Sequence, residues 1–453
     1  MTAPPEPEAL AVLLGEAPVA DLRRLLGGAS REMWSFRVGG RRMVLRRDPP
    51  GAPSRLGAQG EARLLRAAAG AGMAVPAVVA DAPGQLVLSW VEGETLARRI
   101  LRDDAYARAR ERLLQQCAEQ LARLHTGVRP EQVPGLAAPD VVTDVRARLD
   151  AIGEPHPAFE LALSWLTATR PPVRTDIVLH GDFRLGNLMV DREGLAAVLD
   201  WELAHLGDPH QDLAWMCVRS WRFGSPLPAA GLGTREQLRH AYARAGGMPL
   251  DAVALHWWEV YCTLDWGVMC LQQAHAHLSG AVRSVELAAI GRRCCEVELD
   301  VLDLLPGACS APPPDPDPQA AHGAGPHDRP SASELLEAVG EFLAGAELSE
   351  HDRYLAKVSA RLLHTVEREL LLGPALAAAH TARLAALGVQ DDAALAAQIR
   401  SGDLRHEQAL ATVRAAVVDK LRVADPRQLS GRTPAPPPPS PVHLPVPAPI
   451  LST

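Results

Sequence analysis

His180-Gly181-Asp182-Phe183-Arg184-Leu185-Gly186-Asn187 is the stretch on which the reading of this chain turns. Asn187 is the sole asparagine among 453 residues. The composition gives that isolation its weight. Of 46 Lys plus Arg, only Lys357 and Lys420 are lysines, while Ala, Arg, Gly, Pro and Leu dominate. A GC-rich coding sequence produces such a bias by replacing Asn and Lys wherever a substitute works. An asparagine kept under that pressure marks a position where Asp, Gln or Ser fails. Asp182 precedes it in the same stretch, and Asp200 follows. A carboxylate that accepts a hydroxyl proton, then an amide oxygen and a second carboxylate for a hard cation, is the order phosphoryl transfer to an alcohol requires.

The flanks support this order. Asp182 follows the apolar Ile177-Val178-Leu179, in a loop where a carboxylate can take a proton from a bound hydroxyl. Leu188-Met189-Val190 and Ala197-Val198-Leu199 read as short strands around the turn Asp191-Arg192-Glu193-Gly194. That hairpin brings a loop residue, Asn187, and a strand-end residue, Asp200, toward one place. Mg²⁺ takes few protein oxygens and completes its shell with phosphate and water. Asp208, with Pro209 after it, reads as a helix N-cap. Asp212 reads as structural, His180 as a brace for the loop backbone, and His125 as a helix-end histidine.

Nearer the N-terminus, Trp34 to Val38 and Met43 to Arg46 read as two strands around the tight turn Gly39-Gly40. Residues 61–68 are helical. Leu86 to Val91 reads as a buried strand, and residues 105–127 as a helix with Leu113, Leu114, Cys117, Leu121 and Leu124 on one face.

Taken with Val198-Leu199-Asp200-Trp201-Glu202, Gly207-Asp208-Pro209 and Asp212-Leu213, the opening motif resembles the core signature of the aminoglycoside phosphotransferase family. It is nearest to the kinase domains found beside acyl-CoA dehydrogenases. The resemblance covers about residues 20–300, tightly in the catalytic segment and loosely in the first hundred residues. It implies an α+β, protein-kinase-like two-lobed fold, with a small antiparallel-sheet N-lobe and a mainly helical C-lobe, followed here by a small all-α domain. It implies transfer of the γ-phosphate of ATP or GTP, with Mg²⁺, to a small-molecule hydroxyl. By the same resemblance Asp182 is the catalytic base, and Asn187 and Asp200 are the metal ligands. Gly28 and Ser30 belong to the phosphate-covering loop. Arg46 stands in the place of the usual lysine, Glu61 is its helix partner, and Ser89, Trp90 and Val91 form the adenine-reading hinge. A hydroxyacyl compound or its CoA thioester is the expected acceptor. The alternatives are a nucleotide-binding pseudokinase and an aminoglycoside-type antibiotic kinase. The lack of Asp-Phe-Gly and Ala-Pro-Glu argues against a protein kinase.

Bulk properties bound the rest. The net charge is −8 and the pI about 6.1, so no global basic field draws nucleic acid. The seven cysteines form no CxxC and read as reduced core thiols. There is no signal-peptide pattern and no apolar run that would span a membrane, so a cytoplasmic location is expected. The expected division is a phosphotransferase domain over 15–305 (N-lobe 15–90, C-lobe 91–305), a Pro-rich linker over 306–330, a helical bundle over 331–430 and a disordered Pro-rich tail over 431–453. The bundle shows three amphipathic faces, one of them Leu335, Leu336, Val339, Phe342 and Leu343. It reads as a packing or dimerisation module, so a homodimer through it is the expected assembly.

Overall fold

The computed structural model describes residues 4–15, 18–25, 32–48, 56–307, 332–345 and 348–430. Gly28 and Ser30, most of the linker and the tail therefore lie outside the described residues. The chain begins with α1 (Pro7–Leu14), β1 (Val19–Leu25), β2 (Glu32–Val38), β3 (Arg41–Arg47), α2 (Gly57–Gly70), β4 (Val78–Ala82) and β5 (Gln85–Ser89). Next come α3 (Ala97–Arg102), α4 (Ala107–Gly127), α5 (Val141–Ile152), α6 (Pro157–Ala168), β6 (Ile177–Leu179), β7 (Leu188–Val190), β8 (Leu195–Val198) and β9 (His205–Gly207). The remainder is helical: α7 (Pro209–Cys217), α8 (Arg235–Arg244), α9 (Ala252–Leu278), α10 (Val285–Arg292), α11 (Cys294–Leu304), α12 (Ala332–Gly345), α13 (Glu350–Ala386), α14 (Asp392–Ser401) and α15 (His406–Ala424). The α+β class is as expected.

Two compact units are present. The first comprises residues 1–139 and 171–259. Five of its nine described strands form an antiparallel sheet in the order β1-β2-β3-β5-β4. Gly39 and Gly40, at φ +55° and +78°, close the β2–β3 hairpin, the positive-φ pair that a two-residue turn demands. Strand alternation then sorts the faces. Phe36, Val38, Met43, Leu45 and Val87 pack with Leu10 of α1, while Val44, Arg46 and Leu86 fall on the opposite face. The edge strands β1 and β4 were absent from the sequence reading. In the same unit α4 buries Leu113, Cys117, Leu121 and Leu124, and the pairs β6–β9 and β7–β8 form two small ladders.

The second unit comprises residues 140–170 and 260–453. Here α14 packs on α6, and α15 packs on α6, α11 and α13. Leu410, Val413, Val417 and Leu421 of α15 are buried as their spacing predicts. Charges are buried with partners: Glu298 meets His156 Nδ1 at 2.9 Å and Lys420 Nζ at 3.1 Å, and Glu160 meets Arg146 and Arg400. The boundary between the units does not follow the Pro-rich linker. Leu335, Val339 and Phe342 of α12 keep the helical spacing expected of them but are exposed. Among the described residues no helix is long and apolar enough to cross a membrane. Six cysteines are buried free thiols, and Cys309 lies outside the described residues.

Candidate active site

The site grows from the loop between β6 and β7. Asp212, fully buried in the first turn of α7, accepts the backbone N–H of His180 at 2.8 Å and of Gly181 at 2.9 Å. His125, at the end of α4, donates to the same carboxylate from Nε2 at 3.0 Å, and Tyr242 meets its Nδ1 at 2.9 Å. Burial pushes the Asp212 carboxyl up, but these hydrogen bonds and the neighbouring imidazoles outweigh it and hold it below the usual carboxylate range. Gly181 sits at φ +80°, and a Cβ there would collide with the Leu203 carbonyl oxygen. Asp208 caps α7, accepting from the His210 N–H at 3.0 Å, with Pro209 at the first turn.

His180 ties the two halves of the site together. Its Nδ1 accepts the Asp182 N–H at 3.1 Å, so the ring proton sits on Nε2, which donates to the Leu199 carbonyl at 2.9 Å. Leu199 in turn donates its N–H to the Asn187 carbonyl at 2.8 Å. The base loop, Asn187 and the strand end before Asp200 are thereby locked to one another.

Asp182 is buried and heavily bonded. Its Oδ1 accepts the Trp215 indole N–H at 2.7 Å and Arg184 Nε at 2.9 Å. Its Oδ2 accepts Asn187 Nδ2 at 2.6 Å. Asn187 Nδ2 also donates to the Asp182 carbonyl at 3.0 Å. With its nitrogen committed, Asn187 has Oδ1 left as an acceptor. Asp200 has φ +61°, a left-handed conformation that a non-glycine residue adopts at a cost of about 1–3 kcal/mol. Its half-buried carboxylate takes no hydrogen bond or ion pair among the described residues. The amide oxygen of Asn187, held against the buried Asp182, and the carboxylate of Asp200 are hard-oxygen donors of the kind Mg²⁺ takes.

The sheet contributes a second cluster. Arg46 of β3 forms an ion pair with Glu61 of α2, Nη1 to Oε1, with only 9% and 1% of these residues exposed. The pairing anticipated across 15 residues is thus formed. Two of the backbone amides over 89–91 are taken up within the sheet. Ser89 N–H donates to the Ala77 carbonyl and Trp90 N–H to the Arg42 carbonyl, while the Arg42 guanidinium lies 3.4 Å from the Trp90 ring centroid. Of the amides over 89–91, that of Val91 stands outside these two bonds.

Two residues at the site escaped the sequence reading. Arg184 stood inside the quoted motif, and Trp215 stood three residues past Asp212. Neither spacing nor periodicity says that an indole will reach a carboxylate 33 positions away.

Comparison with known proteins places this geometry. The profile of the phosphotransferase enzyme family matches residues 21–256, and that of a domain of unknown function, DUF6285, matches residues 346–428. The chain is 29% identical over 212 residues to acyl-CoA dehydrogenase family member 10 of Mus musculus, covering 42% of this chain and 20% of that protein. It is 26% identical over 256 residues to acyl-CoA dehydrogenase family member 11 of Homo sapiens, covering 51% and 33%. The match thus spans a fifth to a third of these relatives. A crystal structure from Ralstonia eutropha JMP134, named for the aminoglycoside phosphotransferases, superposes with a TM-score of 0.54 at 20% identity, over 66% of this chain and 96% of that one. With a family profile matching more than half its length and a kinase-type fold, the chain belongs to the phosphotransferase enzyme family.

Proposed function

We propose that this protein transfers the γ-phosphate of a nucleoside triphosphate, in the presence of Mg²⁺, to the hydroxyl of a small molecule. The observation that carries the reading is the buried Asp182 carboxylate bonded to Asn187 Nδ2, which leaves Asn187 Oδ1 as an acceptor, with the Asp200 carboxylate, unpaired among the described residues, just past the short hairpin. Asp182 Oδ1 already accepts two hydrogen bonds, so both its lone-pair positions are taken. Oδ2 accepts one and keeps one free. The acceptor hydroxyl donates to that position. As its oxygen bonds to the γ-phosphorus and the β–γ bridging bond breaks, its proton passes to Asp182. Asn187 Oδ1 and Asp200 would hold Mg²⁺, which would neutralise charge on the phosphate oxygens. Arg46, fixed by Glu61, is the cation for the remaining phosphate oxygens, in the role a lysine has in relatives.

A hydroxyacyl compound or its CoA thioester is the acceptor this reading favours, supported by the likeness to acyl-CoA dehydrogenase family members. The purified chain, incubated with Mg·ATP and a metabolite panel rich in hydroxy acids and hydroxyacyl thioesters, is expected to add one phosphate to a panel member. Asp182→Ala is expected to lower that turnover by about 10²–10⁴ while nucleotide still binds. Equal turnover in wild type and variant would remove Asp182 from its role.

A further inference from the structure

Arg184 is held on three sides. Its Nε is hydrogen-bonded to Asp182 Oδ1 at 2.9 Å. Its guanidinium carbon lies 4.7 Å from the centroid of the Trp221 ring, and Trp221 packs against Trp215, centroids 5.8 Å apart. Gly186 completes the seat, because a Cβ at that position would occupy the place of Nη1. Nη1 and Nη2 donate to no group among the described residues, and 26% of the side chain is exposed. A guanidinium so fixed, with its fork unspent beside the reacting carboxylate, is a preorganised receptor for an oxyanion.

The segment that carries Trp215 and Trp221 has no acid of its own. From Leu213 to Arg235 there is no Asp or Glu, while Arg219, Arg222 and Arg235 are present. Arg222 and Arg235 share one buried carboxylate, Glu259. Arg102 of α3 reaches the same segment, donating to the Phe223 carbonyl at 3.2 Å. A polycationic aminoglycoside finds no carboxylate along this segment.

We propose that Arg184 is a specificity-determining residue that selects an anionic acceptor, whose carboxylate or phosphate meets Nη1 and Nη2 while its hydroxyl reaches Asp182. The proposal rests on the reading of Asp182 as the proton acceptor. Its test is calorimetric binding to the full chain loaded with Mg·AMP-PNP. One arm compares C4 to C12 3-hydroxy acids with their neutral amides. The other compares 3-hydroxyacyl-CoA thioesters with the neutral N-acetylcysteamine thioesters of the same acyl groups. In at least one arm, wild type binds the anion more tightly than its neutral counterpart, by about tenfold or more. The arm that shows the preference identifies carboxylate or CoA phosphate as its source. Arg184→Gln brings that ratio close to one, and Arg184→Lys, a point charge without the fork, retains part of it.

A ratio near one in wild type, a ratio preserved in Arg184→Gln, or no binding of any anionic compound overturns the proposal. So does a rise in the KM for ATP with the anion preference intact, which assigns Arg184 to the donor phosphates. Failure of the kinase reading looks different: the anion preference persists, but none of the bound compounds gains a phosphate when Mg·ATP replaces Mg·AMP-PNP.

Discussion

The indole N–H of Trp215 donates to Asp182 Oδ1 at 2.7 Å, joining α7 to the buried carboxylate of the β6–β7 loop. Trp215 is 3% exposed, so this bond has little competition from water. Together with Arg184 it occupies Oδ1, and Oδ2 keeps one free acceptor position, the one the proposed proton transfer uses. Trp215→Phe keeps the ring's bulk and removes the donor. Loss of one buried hydrogen bond to a charged group, about 1.5–3 kcal/mol, predicts a fall in kcat of roughly ten- to a hundredfold with the KM for ATP little changed. An unchanged kcat would show that Asp182 is positioned without Trp215.

Asp212 is a structural aspartate with a functional consequence. Asp212→Ala strips the acceptor from the His180 and Gly181 amides and from His125 in one step. Several buried donors without partners predict a destabilisation of about 3 kcal/mol or more, read as a lowered urea midpoint. Because the same amides shape the loop bearing Asp182, activity in the folded fraction should fall as well. A variant with wild-type stability would show that the loop holds its form without this carboxylate.

The Arg46–Glu61 pair separates charge from shape. Arg46→Ala leaves Glu61, 1% exposed, without its guanidinium, and a broken buried pair costs about 3–5 kcal/mol. Arg46→Lys keeps a cation at that position and should recover much of the lost stability. If the role at the phosphates is a point charge, the lysine variant also keeps the KM for ATP within about threefold of wild type. Thermal denaturation and ATP titration of both variants decide between a structural pair and a nucleotide contact.

In the second unit Glu298 supplies a pH test. Burial raises its carboxyl, but Lys420 and then His156 outweigh that and bring it down to about 2. A folded-state value below the unfolded one, about 4.3, means that the stabilisation is fully present above the unfolded value and is lost as pH falls toward 2. Glu298→Gln lacks this titration. The stability gap between wild type and variant should therefore be wide at pH 7 and narrow steadily between about pH 4.3 and 2. A gap constant across that window would exclude the Glu298 carboxylate as its source.

Legibility in the sequence followed how local each feature is. The interior strands β2, β3 and β5 could be read because apolar residues alternate or run together along them. β1, a sheet edge with no fully buried residue, and β4, with none either, offered no such pattern. The stripe Leu335, Val339 and Phe342 was legible as a helix, since spacing alone defines it. Its exposure was not legible, because burial depends on what packs there.

The Asp–Asn–Asp order along the chain was legible from residue type and spacing alone. An aspartate, the sole asparagine and a second aspartate around a short hairpin are close in sequence, and the backbone between them has few ways to run. Tertiary structure decided the rest: that Asp212 grips the loop, that Trp215 and Arg184 both spend their donors on one oxygen of Asp182, and that Asp200 keeps its carboxylate unpaired. Those contacts join residues up to 33 positions apart or depend on which neighbour is missing. No local propensity encodes either, because each is a product of how separate elements pack.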